Sequence, residues 1–303
     1  MNMDWLFEPF RHGFMQGALF GCALIGFTNG ALSSFIVIRR LALMADAMAH
    51  SLLPGVAVAL ILFGLMPATL FVGALLAALL VAFGTQIISN SSRIKEDTAL
   101  GLLFACSFSL GLVLISLSSV RVNVSDYLFG NILGLGDADL WIIYLISLVA
   151  LPVLVALERP LLLTMFEPAV ASSQGVPVNS VKYLLIGLLV LAMISSLQAV
   201  GVILALGMLI APAATIYLLS DSLATIFWAG GILGSAGSCA GLLISYWLNL
   251  PSGPCIVLVL GGVFLLAYLF APRYGIVPKL LRPRHLHEAS LARWKRQDFP
   301  RQY

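Results

Sequence analysis

Apolar residues in this chain are gathered into unbroken blocks of about twenty, which as helices match the ~30 Å hydrocarbon core of a bilayer. Amphipathic soluble helices instead interleave apolar and polar residues at a period near 3.6. In lipid every backbone N–H and C=O has to be satisfied within the protein, so each block is expected to be a helix. The expected fold is therefore all-α, a polytopic membrane bundle. Composition agrees: 61% of the 303 residues are hydrophobic and 10% charged, against about 25% charged in soluble domains.

The blocks predict spans over 13–38, 41–66, 67–89, 98–118 and 140–157, two spans from 181 to 219 that meet near Gln198–Gly201, and then 223–247 and 251–270. That makes about nine transmembrane helices; eight result if Gln198–Gly201 only breaks one helix. If Arg39 and Arg40 face the cytoplasm, nine passes put every Lys and Arg inside except Arg11 and Arg121, out of sixteen in all. Residues 1–272 read as one transmembrane domain and 273–303 as a basic cytoplasmic tail. The tail suits a cytoplasmic leaflet and no nucleic acid, because it lacks an aromatic-interleaved basic motif. The N-terminal MNMDWLFEPFRHGF has no basic n-region followed by a short apolar stretch, so no cleaved signal peptide is expected. Cys22, Cys106, Cys239 and Cys255 form no CxxC pair and are expected to be small buried hydrophobes.

Within 41–66 lie Asp46 and His50, one helical turn apart and therefore on one face. An Asp at a membrane helix centre costs about 2.5–3.5 kcal/mol and marks a pathway or a site. Asp46 lies about 9 Å and His50 about 15 Å beyond Arg40 along a helix, the latter near mid-bilayer. Pro54 removes the hydrogen bond that would occupy the His50 carbonyl. One oxygen donor and one nitrogen donor make half of a divalent-metal site; the structural reading is an Asp–His hydrogen bond facing the interior. Met44 and Met48 flank the pair and are read as packing residues before soft-metal ligands.

The segment FIVIRRLALMADAMAHSLLPGVAVAL resembles the signature of permease subunits of bacterial zinc/manganese/iron ABC importers. KEDTALGLLFACSFSLGLVLISL, DYLFGNILGLGDADL, LQAVGVILALGMLIAPAATIYLL and LNLPSGPCIVLVLGGVFLLAYLF resemble further motifs of that family, in order, from Phe35 to Phe270. Ala45 departs from it, since Gly commonly precedes the Asp there. The resemblance implies a permease of the cytoplasmic (inner) membrane that dimerises with a second copy or a paralogue. It also implies two ATP-binding-cassette ATPase subunits carrying ATP and magnesium, and an extracytoplasmic metal-binding receptor. Asp46 and His50 of both protomers would line the path of a transported manganese, zinc or iron ion, in a two-oxygen, two-nitrogen set that suits such metals. The region around Pro54 resembles the manganese branch. Phe166–Gly175 resembles the coupling helix that docks on the ATPase, with Glu167 and Gln174 as candidate contacts; an amphipathic surface loop is the plain alternative.

Other residues carry less. Glu96 and Asp97 suit a helix start. Asp126, Asn131, Asp137 and Asp139 are read as solvated loop residues before an entry funnel, and His285, His287 and Glu288 as part of a basic end before a metal sensor. Gly201, Gly207 and Pro212 suit close packing and flexing. No GxxxxGK[ST] loop is present, so ATP hydrolysis belongs to another subunit and this chain is not expected to be an enzyme. Two other functions compete. A stand-alone proton-coupled divalent-metal transporter would use Asp46 and His50 as a relay, with only one pair to serve both ions. An intramembrane serine hydrolase would draw on GSAGS (Gly234–Ser238), but no His occurs between His50 and His285 to act as base.

Overall fold

The computed structural model describes residues 8–64, 66–117, 136–272 and 275–281. Helix α1 (Gly13–Arg39) closes with Arg40 in the left-handed region, φ 58°. The Arg40 N–H reaches the Val37 carbonyl and the Leu41 N–H the Ile36 carbonyl, so the turn into the next helix is a hydrogen-bonded Schellman elbow. Next come α2 (Ala42–Ser51) and α3 (Leu53–Phe63), one apolar stretch interrupted at Leu52, two residues ahead of Pro54. The remaining helices are α4 (Pro67–Ser91), α5 (Glu96–Leu117), α6 (Asp137–Ala156), α7 (Glu158–Phe166), α8 (Pro168–Ser173), α9 (Val178–Val200), α10 (Val202–Tyr217), α11 (Leu223–Leu248), α12 (Ser252–Phe270) and α13 (Ile276–Leu281). The expected tail beyond Leu281, including His285, His287 and Glu288, lies outside the described residues, as do Asp126 and Asn131.

Lipid tails are as apolar as Leu, so helices here associate through close packing and interhelical hydrogen bonds. The α1–α11 contact has that character. A Cβ on Gly30 would run into the Gly230 carbonyl and one on Gly26 into the Gly234 carbonyl, and the Ser238 hydroxyl donates to the Cys22 carbonyl at 2.9 Å. Rising numbers on α1 meet falling numbers on α11, so the two run antiparallel. Ser238, the last residue of the GSAGS segment, thus has its hydroxyl against the backbone carbonyls of Cys22 and Ser235. Thr28 on α1 donates to Ser147 of α6 at 2.9 Å, and Asn29 to Ser196 of α9 at 2.6 Å.

Chain direction at Gly201 follows from two of these bonds. A straight helix from Ser196 to Ala213 would be about 25 Å long. Yet Ser196 meets Asn29 while the Ala213 N–H donates to Ser33, and Asn29 and Ser33 are about 6 Å apart along α1. The chain therefore reverses at Gly201, whose φ of 83° suits glycine. Among the described residues eight helices, with Ala42–Phe63 taken as one, are long and apolar enough to cross a membrane. The short, apolar α10 (Val202–Tyr217) is a further, reversed segment beside those eight, so the alternative of one helix only broken at Gln198–Gly201 does not hold.

The reversal and the antiparallel α11–α12 contact, where Gly241 meets Ile256 and Gly237 meets Leu260, carry the end of α12 to the same end of the bundle as Arg39. Arg39, Arg40, Arg93, Lys95, Arg159 and Lys182 gather at that end, and of the described Lys and Arg outside the C-terminal segment only Arg11 lies at the other. The larger buried cluster joins α1, α2, α4 and α9, with Met44 and Met48 inside it. A second cluster joins α1, α10, α11 and α12. The expectation of four buried cysteines holds for Cys22 and Cys255, holds only partly for Cys239, which is half-buried, and fails at Cys106, which is exposed. It sits on α5, which buries little of its surface within the protein.

Candidate metal site

Asp46 and His50 project from α2 to its unburied side, while Met44, Ala45, Ala47, Met48 and Ala49 pack inward. The Asp46 side chain is 54% exposed and that of His50 31%. Their closest atoms, Asp46 Oδ1 and His50 Nε2, are 3.9 Å apart, too far for the intrahelical hydrogen bond of the structural reading. An ion held by both at about 2.1 Å and a tetrahedral angle would space the two donors by about 3.4 Å. The observed gap is within about half an ångström of that chelating geometry.

Helix α5 seats the histidine. The His50 ring lies 6.1 Å from Phe104 at an interplanar angle of 50°, and 6.1 Å from Phe108 edge-to-face at 88°. Between those residues, the Ser107 hydroxyl donates to the Ser51 carbonyl at 2.8 Å. In an uninterrupted helix that carbonyl would accept from Gly55; next to Pro54, α5 supplies the donor. The helix break and the ring orientation are thus held by three side chains of one neighbouring helix. None was singled out from sequence, since two Phe and a Ser within an apolar span have no polar signature.

Among the described residues no group of three or more His, Cys, Asp or Glu side chains comes together to hold a metal. The described residues bring one carboxylate and one imidazole together here. Asp139 caps α6 by accepting the Gly136 N–H at 3.1 Å, a structural role. Helix α8 falls within the span 166–175 expected for a short surface helix, with Pro168 in its first turn and Gly175 beyond its end at φ 80°. Glu167 and Gln174 flank it, both exposed, and Phe166 and Val170 also expose apolar surface there.

Residues 11–271 match the model of the ABC 3 transport family. The chain belongs to that family. The manganese transport system membrane protein MntC of Halalkalibacterium halodurans is 36% identical over 291 residues, 95% of this chain and 98% of that one. The manganese import system permease protein ScaB of Streptococcus parasanguinis is 41% identical over 260 residues, 86% of this chain and 91% of its own length. Among solved structures, PsaBC from Streptococcus pneumoniae in complex with Fab superposes with a TM-score of 0.78 at 36% identity, covering 90% of this chain and 98% of that chain. This ABC 3 protein is a multi-pass permease subunit of a bacterial inner-membrane metal importer; it is not an enzyme, and ATPase activity lies in a separate partner.

Proposed function

We propose that this ABC 3 permease moves a divalent transition metal, manganese before zinc or iron, across the cytoplasmic membrane by alternating access, with Asp46 and His50 of two protomers forming the gate. One observation carries the reading: two metal-ligating groups stand exposed on one helical face, splayed at 3.9 Å, and no third ligating group of the described chain joins them. Two such half-sites meeting across a two-fold axis supply two carboxylates and two imidazoles, a donor set that suits manganese, zinc or ferrous iron. Relatives named as manganese permeases support the choice of metal. An ion in transit has to shed water to enter and still leave again, so the site is of moderate affinity.

The gathering of Lys and Arg at the Arg39 end supports a cytoplasmic position for that end and for the end of α12. Helix α8 lies there and docks two ATPase subunits, one for each permease, with Glu167 and Gln174 as polar contacts and Phe166 and Val170 as apolar ones. An extracytoplasmic receptor delivers the ion at the opposite end. The test is uptake of labelled manganese, zinc and iron by cells carrying wild type, Asp46→Ala or His50→Ala, with ATPase and receptor present. Uptake lost in both variants, manganese first among the metals in wild type, is expected; undiminished uptake in both removes the gate assignment.

A further inference from the structure

Five helices bring polar groups together at the basic end, just inside the junction of α7 and α8. Arg39, at the end of α1, donates from Nη2 to the Thr164 carbonyl of α7 at 3.0 Å. Glu96, in the first turn of α5, pairs with Lys182 of α9 at 3.3 Å and accepts from Gln86 of α4 at 2.8 Å. Arg39, Glu96, Thr164 and Lys182 line one cavity of about 20 Å³, room for a single water. Arg39 Nε and the Thr164 hydroxyl are buried there without a hydrogen-bond partner among the described residues. The cavity between them has room for one water to serve both groups.

The two ties lead to the two helices that build the metal pair. Arg39 is joined through the Schellman elbow to α2, and Asp46 lies about 6 Å along that helix. Glu96 starts α5, and Phe104, which packs on His50, lies about 12 Å further along. A displacement of α7 therefore pulls on the Asp46/His50 helix by one tie, while α9 and α5 move together through the other. Interiors are close-packed and pass such displacements on instead of absorbing them.

We propose that the junction of Arg39, Glu96 and Lys182 is the transmission by which the α7–α8 elbow moves the gate, with these three as positioning residues that touch neither metal nor nucleotide. The inference rests on the docking role of α8 under Proposed function. Its test uses the assembled importer in proteoliposomes, with manganese uptake and ATP hydrolysis measured on the same samples. Glu96→Lys or Lys182→Glu lowers the manganese moved per ATP hydrolysed at least tenfold while the ATPase still co-purifies, and the double exchange restores at least half of it. Arg39→Gln lowers the same ratio.

An unchanged ratio in the single variants overturns the proposal, and so does a loss that the double exchange does not repair. If a charge-reversed variant fails to assemble, Glu96→Gln with Lys182→Met keeps volume and is judged by the same ratio: a fall supports the proposal and no change overturns it. Val170→Arg on α8 separates the two readings. If that variant keeps its ATPase, the docking role fails; if it loses the ATPase while the junction variants keep a normal ratio, the transmission alone fails.

Discussion

Replacing Phe108 by Ala tests how far the metal pair depends on a helix that carries no ligand. The Phe108 ring meets the His50 imidazole edge-to-face with centroids 6.1 Å apart. Aromatic pairs in this arrangement are worth about 0.5–1.5 kcal/mol beyond the area they bury. Where the imidazole loses its ligating orientation without this contact, binding has to restore it, twice in a two-fold site, at a cost of up to about 1–3 kcal/mol for each bound ion. At 1.4 kcal/mol per factor of ten, manganese affinity falls by about 5- to 150-fold. Titration of the purified permease–ATPase complex with manganese, and the uptake KM in cells, both read this directly. Phe104→Ala acts in the same direction, because that ring also packs against the imidazole, with centroids 6.1 Å apart. Assembly with the ATPase is unaffected in either variant. Manganese affinity within twofold of wild type in both would refute the reasoning that α5 orients His50.

One further outcome follows from the geometry. Gly30→Ala forces a methyl group against the Gly230 carbonyl, a backbone atom that cannot rotate aside, and overpacking of this kind costs about 1–3 kcal/mol; a lowered melting temperature of the detergent-solubilised permease checks it.

Much of this architecture was legible because lipid permits so few alternatives. A block of twenty apolar residues has to be helical, and the observed ends of α1, α6, α11 and α12 fall within a few residues of the block ends. Pro54 marked the interruption between α2 and α3, and the four-residue spacing of Asp46 and His50 put them on one exposed face. The contacts that support the pair were not legible. Phe104, Ser107 and Phe108 act through a helix more than fifty residues away, and as ordinary members of an apolar span they carry no mark of that role. Glu96 read as a helix-start residue until the fold placed Lys182 and Gln86 against it. The reversal at Gly201 depends on where α1 lies between α9 and α10, information held in tertiary packing and not in local pattern. Cys106 escaped for a related reason: hydropathy predicts which residues leave water, not which leave the protein surface.

The most direct test of the two-protomer gate is the coordination shell of manganese bound to the assembled permease pair, measured by X-ray absorption at the metal edge. Two imidazole ligands per ion with oxygen donors completing the shell are predicted for the wild type, and loss of all imidazole scattering for His50→Ala. One imidazole per ion, or a shell that His50→Ala leaves unchanged, would contradict it.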